Sequence, residues 1–445
     1  MTEYEYLDIK RPLVVRTEVK LPASKSISNR LLIINALVQS PIEPKNLSEC
    51  DDTRVMRQAL RDMPEVIDIG AAGTAMRFLT AYLCVTPGTH TLTGTPRMKQ
   101  RPIGVLVDAL RSLGAEIEYL EKEGFPPLRI TGRTDLAGGE LTVRGDISSQ
   151  YISALLMIAP RLKNGLTLHL TGEIASRPYL KMTIEMMRQF GAEVDWDGEG
   201  PINPNQPSHT VRVGTKAYEA RPYTVEPDWS AASYWYEIIA LTNDPGAWAE
   251  LPGLQLDSLQ GDKVVQDIFE RLGVRTEECV CECGEKGIRL RKNYEVTCYL
   301  PCDFTSCPDL AQTTVLTCIM LGVPFSFTGL KSLRIKETDR IQALKSELER
   351  MGYVVQDSTD GELEWDGERF DEDFPRPTDI RINTYEDHRM AMAFAPVCYQ
   401  LSVVKIMNPN VVSKSYPHFW RDLRRCGFRY INLTEEEMLK IAREE

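Results

Sequence analysis

A pattern of apolar and polar positions recurs along this chain about every 75 to 82 residues. Apolar residues at helical spacing run up to a basic residue and a glycine, and a short segment typical of a strand comes next. Glycine after a basic last turn commonly ends a helix, so the pattern predicts repeated helix–strand units. A shorter unit at 54–66 has proline at the comparable place. The clear copies are RSLGAEI at 111–117, RQFGAEV at 188–194, ERLGVRT at 270–276, ERMGYVV at 349–355 and RRCGFRY at 424–430.

Each unit contains another helix, which begins at a cluster of small or polar residues and continues as an apolar run. Serine, aspartate and asparagine are preferred at helix N-caps, and the runs are long enough to form buried helices. Six such clusters therefore predict six buried helices. They are SKSISNRLLII at 24, GAAGTAMRFL at 70, DISSQYISALLMI at 146, EPDWSAASYW at 226, CPDLAQTTVLTCIM at 307 and YEDHRMAMAFA at 385.

Short strands followed by loops complete the units. Six units of strands, a buried helix and a surface helix predict an α/β protein with two domains of three units each. A structural solenoid is the alternative, but the helix-opening clusters differ in chemistry from unit to unit, which favours a scaffold carrying a functional site. The segments 200–209 and 356–377 are predicted to be loop insertions. The strands are THTLTG at 89, TLHLTG at 167, WAELPG at 248 and FSFTG at 325.

Composition and charge restrict the class of partner. The 445 residues are 42% apolar and 26% charged, and the formal net charge is −12. We expect no nucleic-acid or membrane partner, because both favour a basic surface. The N-terminus lacks the basic and apolar regions of a signal peptide, and the longest apolar stretch is shorter than the ~20 residues of a membrane helix. A cytoplasmic location is therefore expected.

The eleven cysteines are an odd number, which favours reduced thiols in this context. Six of them fall between Cys279 and Cys307, and the first three alternate with other residues. Their spacings match no zinc template, and no histidine lies nearby to complete a site. We therefore expect no metal and interpret these cysteines as small core residues.

Basic residues concentrate where the predicted helices begin. LPASKSISNR places Lys25 and Arg30 near a helix N-terminus, where cations oppose the helix dipole and a bound anion would resolve the conflict. A solvated basic face is the alternative for this segment alone. Basic residues also stand at the equivalent edges of other units. Taken together, these cations indicate a ligand with at least two phosphate or carboxylate groups. These further residues are Arg101, Lys336, Arg340, Arg389 and Lys414.

Acids and neutral donors accompany these cations. In KETDR, Lys336 and Arg340 are four residues apart, which predicts that they share one helical face with Glu337 beside it. A carboxylate between cations suits general acid–base chemistry, although a solvated ion-pair run is the alternative. Asp387 is predicted to cap the helix that carries Arg389 beside His388, and Asp309 holds the position equivalent to this helix start in the preceding unit. The segment DISSQ supplies the neutral donors Ser148, Ser149 and Gln150.

The segments LPASKSISNR, GTAMR, RPIG, SSQ, SRPY, KETDR and DHRMAM occur in this order, and together they resemble the 5-enolpyruvylshikimate-3-phosphate synthase family. The resemblance extends from Leu21 to Trp420. It implies two domains, each of three βαβαββ units in an inverse α/β barrel-like fold, with the active site in the cleft between them. The implied domains are 21–227 and 1–20 plus 228–445, with crossings near residues 20 and 227.

The resemblance also implies the reaction. The enolpyruvyl group of phosphoenolpyruvate passes to the 5-hydroxyl of 3-phosphoshikimate and phosphate is released, in the shikimate pathway to chorismate and the aromatic amino acids. No cofactor is implied, glyphosate is an implied inhibitor, and a monomer is expected. The implied catalytic residues are Asp309, which would take the hydroxyl proton, Glu337, which would serve the methylene carbon, and Lys25.

The substrate-binding residues follow from the same resemblance. Those implied for 3-phosphoshikimate are Lys25, Ser26, Arg30, Ser148, Ser149, Ser176, Asp309 and Lys336. Those implied for phosphoenolpyruvate are Lys25, Gly73, Arg101, Gln150, Arg340, Arg389 and Lys414.

Two positions depart from the family pattern. Ala71 stands where the family usually has asparagine, and Ser332 stands where asparagine often precedes the motif lysine by four residues. Both changes bear on affinity more than on reaction type. The sister enzyme that transfers enolpyruvate to UDP-N-acetylglucosamine is an alternative, but it usually carries a cysteine before its RP motif, and GTPRMKQRPIG has none. A non-catalytic homologue is the other alternative, and the presence of both Asp309 and Glu337 disfavours it.

Overall fold

The computed structural model describes residues 5–146, 148–172, 174–198, 208–369, 379–401, 403–434 and 437. The chain forms two compact units. One is Ala23–Glu226, and the other combines Met1–Pro22 with Pro227–Glu445. The second unit begins with strands β1 (Tyr6–Lys10) and β2 (Arg16–Glu18).

The unit Ala23–Glu226 contains two four-stranded sheets of the same topology. Their strand orders are β3-β4-β6-β5 and β7-β8-β10-β9, and in each sheet the first two strands are parallel while the other pairs are antiparallel. The strands are β3 (Val66–Asp68), β4 (Gly88–Thr93), β5 (Glu116–Tyr119), β6 (Leu128–Gly132), β7 (Gly139–Arg144), β8 (Leu166–Thr171), β9 (Val194–Trp196) and β10 (Ser208–Val213). An isolated parallel bridge joins Lys45 to Thr224.

The helices of this unit alternate between buried and amphipathic. The buried helices α1, α3 and α5 pack against one another in every pair, and apolar side chains fill their interfaces. A solenoid repeat contacts only its neighbours in the chain, so this closed arrangement contradicts the solenoid alternative. The helices are α1 (Lys25–Ala36), α2 (Asp51–Asp62), α3 (Gly73–Cys84), α4 (Gly104–Ser112), α5 (Ser149–Ile158) and α6 (Arg177–Gln189).

The second unit has three sheets, ordered β12-β13-β11-β2, β14-β15-β16 and β17-β18-β1-β19. Each again contains one parallel pair, which is β2 with β11, β14 with β15, and β17 with β18. The remaining strands are β11 (Trp248–Pro252), β12 (Leu272–Val280), β13 (Lys286–Val296), β14 (Leu300–Asp303), β15 (Phe325–Thr328), β16 (Leu363–Trp365), β17 (Asp379–Ile382), β18 (Val403–Met407) and β19 (Arg429–Tyr430). The topology of the first unit therefore recurs here with local variation.

Three helices form the centre of the second unit. The central helices α7, α9 and α11 pack against one another, and every residue of α11 is buried. Large side chains such as Trp229 and Trp235 are fully buried here, and each contributes on the order of 1.5–3 kcal/mol or more by leaving water. The helices are α7 (Trp229–Leu241), α8 (Val265–Glu270), α9 (Ala311–Leu321), α10 (Arg340–Arg350), α11 (His388–Phe394) and α12 (Phe419–Arg425). The six predicted buried helices are thus confirmed as the odd-numbered ones.

Some local predictions were wrong. Gly273 does not end a helix but lies inside β12 with φ +85, where the pairing with β13 shifts register. No strand follows the helix in ERMGYVV, where Tyr353 makes only an isolated bridge to Arg369. The predicted insertion 356–377 contains β16, while 370–378 and most of 200–209 lie outside the described residues. No helix in the described part of the chain is long and apolar enough to cross a membrane.

Candidate active site

Two cations predicted to bind substrate, Lys25 and Arg30, lie at the start of α1, the first partly exposed and the second buried. Ser24 caps the helix by accepting a hydrogen bond from the Ile27 N–H, as predicted for this segment. Lys25 follows in the first turn, partly exposed, with its Nζ 3.8 Å from Asp52 Oδ2 of α2. The ammonium of Lys25 therefore remains accessible to an anion while a nearby carboxylate orients it.

Arg30 lies beneath this helix start, with only 2% of its surface exposed. Its Nε donates to Thr183 Oγ1 at 2.6 Å, and its Nη1 donates to the Ser26 carbonyl at 2.9 Å. The Nη2 group donates to Ser153 Oγ at 3.3 Å and to the Tyr179 carbonyl at 3.4 Å. All four acceptors are neutral, and burial lowers the pKa of Arg30 to about 10. Arg30 thus connects α1 with α5 and α6 and adds a buried positive charge, while its contact with substrate stays a prediction.

Ser148 and Ser149 lie at a helix start as predicted, and Ser176, which only the resemblance implied, also lies where a helix begins. Ser148 caps α5, accepting from the Gln150 N–H at 3.3 Å, and Ser149 is the first helical residue. Ser176 precedes α6 in a left-handed conformation with φ +55. All three serines are half-buried. Because Arg30 of α1 contacts both α5 and α6, the starts of these three helices are joined through one side chain.

Gly73, Arg101 and Gln150 form a second group in this unit. A Cβ atom added to Gly73 would lie 2.6 Å from Arg101 Nη1, so the absent side chain makes room for the guanidinium. The Nε of Arg101 is buried and has no hydrogen-bond partner among the described residues. Gln150 Nε2 donates to Thr74 Oγ1 at 3.2 Å, which brings α5 to the start of α3. An anion bound at Arg101 would supply the guanidinium with a countercharge and a hydrogen-bond acceptor.

In the second unit, Asp309 is surrounded by cations. Its Oδ1 lies 3.0 Å from Arg340 Nη1 and 3.7 Å from Lys336 Nζ, and its Oδ2 lies 2.7 Å from Arg389 Nη2. Asp309 sits in the short 3-10 helix Pro308–Leu310 before α9, and its side chain is 22% exposed. Three cations around one carboxylate favour its ionised form, which can accept a proton.

Glu337 occupies a similar position between two cations. Its Oε2 lies 3.0 Å from Arg340 Nη2, and its Oε1 lies 3.1 Å from Lys414 Nζ. Arg340 is 2% exposed and also donates to Asp387 through Nε at 2.7 Å. Burial alone would lower the pKa of Arg340, but the carboxylates of Asp387, Glu337 and Asp309 outweigh it and raise that pKa. This acid–base cluster comprises Asp309, Lys336, Glu337, Arg340, Asp387, Arg389 and Lys414.

The prediction that KETDR is helical was wrong. The helix α10 begins only at Arg340, capped by Asp339, whose carboxylate accepts from the Gln342 N–H at 3.0 Å. Lys336 and Glu337 precede the helix, after the 3-10 helix Lys331–Ile335. Asp339 fixes the start of the helix at Arg340, because its carboxylate accepts a hydrogen bond from a first-turn N–H that has no acceptor within the helix. Glu337 therefore reaches Arg340 from a turn and not along a helical face.

Several residues of this region were not predicted as functional. Asp387 caps α11 as predicted, accepting from the Arg389 N–H at 2.8 Å, but its ion pair with Arg340 was not foreseen. Tyr234 of α7 accepts from Arg389 Nη1 at 3.3 Å. Asp262 is 2% exposed and accepts a hydrogen bond from Ser230 Oγ. Burial, together with the charge of Asp309, raises the pKa of Asp262 to about 7.

Arg77 was also missed, although it ends the GTAMR segment. It is 5% exposed and donates to the Gly73 carbonyl at 3.0 Å and to the Pro102 carbonyl at 3.3 Å. These bonds hold the α3 start against the segment that carries Arg101. An arginine within an apolar helical run was the available signal, because a buried charge needs partners that an apolar core does not supply.

Comparison with known proteins gives consistent matches. The family model described as EPSP synthase (3-phosphoshikimate 1-carboxyvinyltransferase) matches residues 9–67 and 62–423. A 3-phosphoshikimate 1-carboxyvinyltransferase of Bacteroides fragilis is 56% identical over 420 residues, covering 94% of this chain and 97% of the relative. The enzyme of that name from Vibrio cholerae is 36% identical over 445 residues, covering 94% and 98%. A solved EPSP synthase structure from Acinetobacter baumannii has a TM-score of 0.73 at 21% identity, covers 96% of this chain and 99% of its own, and shows the same fold.

Proposed function

The chain belongs to the EPSP synthase (3-phosphoshikimate 1-carboxyvinyltransferase) family, and from this premise we propose which of its residues carry out the reaction. It transfers the enolpyruvyl group of phosphoenolpyruvate to the 5-hydroxyl of 3-phosphoshikimate and releases phosphate, in the shikimate pathway of aromatic amino acid biosynthesis. The observation that supports the residue assignment is that two carboxylates, Asp309 and Glu337, are each held by cations of the acid–base cluster.

The addition step needs one base and one acid. Asp309 accepts the proton of the 5-hydroxyl as its oxygen attacks the carbon that bears the phosphate in phosphoenolpyruvate. Glu337 delivers a proton to the neighbouring methylene carbon, so a C–O bond and a C–H bond form together across the double bond. The product of this step is a tetrahedral adduct that carries a methyl group and retains the phosphate.

The elimination step reverses the role of Glu337. The adduct loses a proton from the methyl group to Glu337, and the bond between the carbon and the phosphate oxygen breaks. The double bond is restored in the product, and the departing phosphate takes the proton that Asp309 accepted, so both carboxyl groups return to their starting states. Negative charge on the departing phosphate is stabilised by fixed cations, a role for which Lys25 and Arg340 are suited.

Glu337 can change its protonation state because its cations are shared with the substrate. Arg340 and Lys414 lie 3.0 and 3.1 Å from its two oxygens. When an anionic substrate binds these cations, less positive charge is available to hold Glu337 ionised, and a proton on Glu337 becomes easier to carry. Phosphoenolpyruvate thereby prepares the acid that its own protonation requires.

Substrate binding is assigned to two sets of residues, one for each substrate. The phosphate and hydroxyls of 3-phosphoshikimate are assigned to one set of residues, and the phosphate and carboxylate of phosphoenolpyruvate to another. The first set is Lys25, Ser26, Arg30, Ser148, Ser149, Ser176, Asp309 and Lys336. The second set is Lys25, Gly73, Arg101, Gln150, Arg340, Arg389 and Lys414. One chain carries every residue of both sets, so we assign the activity to a monomer. The substrates belong to central metabolism, so we place the enzyme in the cytoplasm.

Phosphate release measured on the purified chain tests the assignment. Release is expected with phosphoenolpyruvate and 3-phosphoshikimate together, and not with phosphoenolpyruvate and UDP-N-acetylglucosamine. Activity only with the UDP-sugar would instead identify the sister enzyme. Binding of 3-phosphoshikimate by calorimetry without phosphate release would identify a non-catalytic homologue. Light scattering during turnover tests whether the active enzyme is a monomer. Cell fractionation tests whether it is in the cytoplasm.

A further inference from the structure

Two glutamates meet at one edge of the sheet β12-β13-β11-β2, apart from the residues assigned to the reaction. Glu18 ends β2, and Glu250 is its partner in the parallel register of β11. Glu250 is fully buried, and its Oε1 accepts from Arg289 Nε of β13 at 2.8 Å. Two adjacent carboxylates, one of them removed from water, are costly unless positive charge lies close by.

The turn that joins β12 to β13 folds over these carboxylates. The Glu282 N–H donates to Glu250 Oε2 at 2.7 Å, and the Cys283 N–H donates to Glu18 Oε2 at 2.7 Å. The turn is closed by a hydrogen bond from the Cys281 N–H to the Glu285 carbonyl at 2.9 Å. Backbone donors of this kind orient carboxylate ligands in metal sites.

One thiol belongs to this group, and a second thiol lies beside the first. The Cys281 Sγ atom and one carboxylate oxygen each of Glu18 and Glu250 lie within 4.8 Å of one another. The Sγ atoms of Cys279 and Cys281 are 3.7 Å apart. Two thiolates bound at about 2.3 Å to one tetrahedral zinc ion lie about 3.8 Å apart, so this spacing is the one such a site requires. The expectation that these six cysteines are core residues is wrong for Cys283 and Cys298, which are exposed, and only Cys281 and Cys307 are fully buried.

A glycine makes room for this arrangement. A Cβ atom added to Gly287 of β13 would lie 2.9 Å from Cys281 Sγ and 2.5 Å from the Leu251 carbonyl oxygen. Any side chain at this position would therefore displace the thiol from the carboxylates. The sequence contained no signal for the site, because the cysteine spacing matches no zinc template and the two glutamates come from strands distant in sequence.

We propose that Cys279, Cys281, Glu18 and Glu250 bind one structural zinc ion at this sheet edge. Thiolates select zinc over calcium or magnesium, which prefer oxygen ligands alone. The charges balance, because zinc replaces the two thiol protons while Arg289 continues to neutralise part of Glu250.

Zinc titration of the full chain tests the proposal. The protein is stripped with a chelator under reducing conditions and titrated by calorimetry in buffers of different ionisation enthalpy. We expect one zinc ion per chain and release of about two protons per ion. Cobalt in place of zinc should give a thiolate-to-metal charge-transfer band and the intense visible bands of a tetrahedral ion. Calcium and magnesium should give no saturable binding here.

Variants locate the binding. Cys281→Ser should weaken zinc binding at least about 100-fold and abolish the charge-transfer band, and Glu18→Gln should weaken it at least about 10-fold. Cys298→Ser is the matched control, since Cys298 is an exposed cysteine of the same stretch, and it should bind zinc like the unaltered chain. Glu18→Gln is preferred to a change at Glu250, whose burial and ion pair make folding depend on it.

Two results would overturn the proposal. One is no stoichiometric zinc binding to the folded, reduced chain, with folding checked by circular dichroism. The other is equal zinc affinity in Cys281→Ser and in the unaltered chain, which would place the ion elsewhere. Neither result depends on turnover, so both leave the assignment of the reaction unaffected.

Discussion

Lys414 Nζ lies 3.1 Å from Glu337 Oε1, although the two residues belong to successive repeat units. Both stand in the segment that precedes a surface helix, α10 for Glu337 and α12 for Lys414. The repeat thus brings equivalent positions of neighbouring units together at one place. One unit supplies the acid and the next supplies its counterion, and this relationship leads to the first prediction.

Glu337→Gln should lower turnover by about 10²- to 10⁴-fold, because the amide keeps the shape of the side chain but cannot carry the proton. The dissociation constant of 3-phosphoshikimate should change little. Steady-state phosphate release and calorimetry measure the two quantities. Glu349→Gln is the matched control, since Glu349 is exposed on α10, and its turnover should equal that of the unaltered enzyme. Near-normal turnover in Glu337→Gln would remove this residue from the mechanism.

Asp309→Asn should also lower turnover by about 10²- to 10⁴-fold, because the hydroxyl of the substrate loses its proton acceptor. This carboxylate additionally holds Lys336, Arg340 and Arg389, so its loss should loosen substrate binding as well. Measuring KM and kcat separately distinguishes the two effects. Asp257→Asn, at an exposed position, is the control for a generic loss of an aspartate. A variant that changes KM alone would make Asp309 a binding residue and not the base.

The sequence predicted most of the helical scaffold but not the conformation of the catalytic segment. The small or polar clusters located the six buried helices because N-cap preference and apolar length act locally. The conformation of Lys336 and Glu337 was missed because charges at helical spacing suggested a helix that includes both residues, whereas the Asp339 N-cap makes α10 begin only at Arg340. Asp262 was missed since its burial depends on α7 packing against the 3-10 helix Gly261–Val264, and only tertiary structure reveals such contacts.

Asp262 predicts a pH dependence of stability. Burial, with the charge of Asp309, raises its pKa to about 7, against about 3.9 for an unfolded aspartate. Between these values the native state binds more protons than the unfolded state, so this group makes the free energy of unfolding fall as pH rises from about 4 to about 7. The slope from one group is at most about 1.4 kcal/mol per pH unit.

In Asp262→Asn the slope of the free energy of unfolding against pH should therefore be more positive than in the unaltered chain, by at most about 1.4 kcal/mol per pH unit in that window. Urea titrations at a series of pH values measure it for both proteins. The neighbouring ionisable groups Asp228, Asp309 and Arg389 remain in the variant, so their contributions cancel in the comparison. Identical slopes for the two proteins would show that Asp262 is not protonated in the native state near neutral pH.

Gly73→Ala should weaken the binding of phosphoenolpyruvate and of glyphosate together. The new Cβ atom would lie 2.6 Å from Arg101 Nη1, so the guanidinium must move away from its present position. A hydrogen bond to a charged group is worth about 1.5–3 kcal/mol, and its loss corresponds to an increase of about 10- to 100-fold in the KM for phosphoenolpyruvate. Turnover at saturating substrate should fall much less, because Asp309 and Glu337 lie in the other unit.

Glyphosate tests whether the same cations serve inhibitor and substrate. It carries a phosphonate and a carboxylate, like the two anionic ends of phosphoenolpyruvate, so its inhibition should be competitive with phosphoenolpyruvate and should weaken in Gly73→Ala. Ala71 is exposed beside this start of α3, and it provides no polar side chain to either ligand. Ala71→Asn should therefore tighten both ligands or leave both unchanged. Inhibition constants measured at several phosphoenolpyruvate concentrations for the three proteins decide the matter. Inhibition that does not depend on phosphoenolpyruvate concentration would place glyphosate at a separate site, and Arg101 would then have no part in its binding.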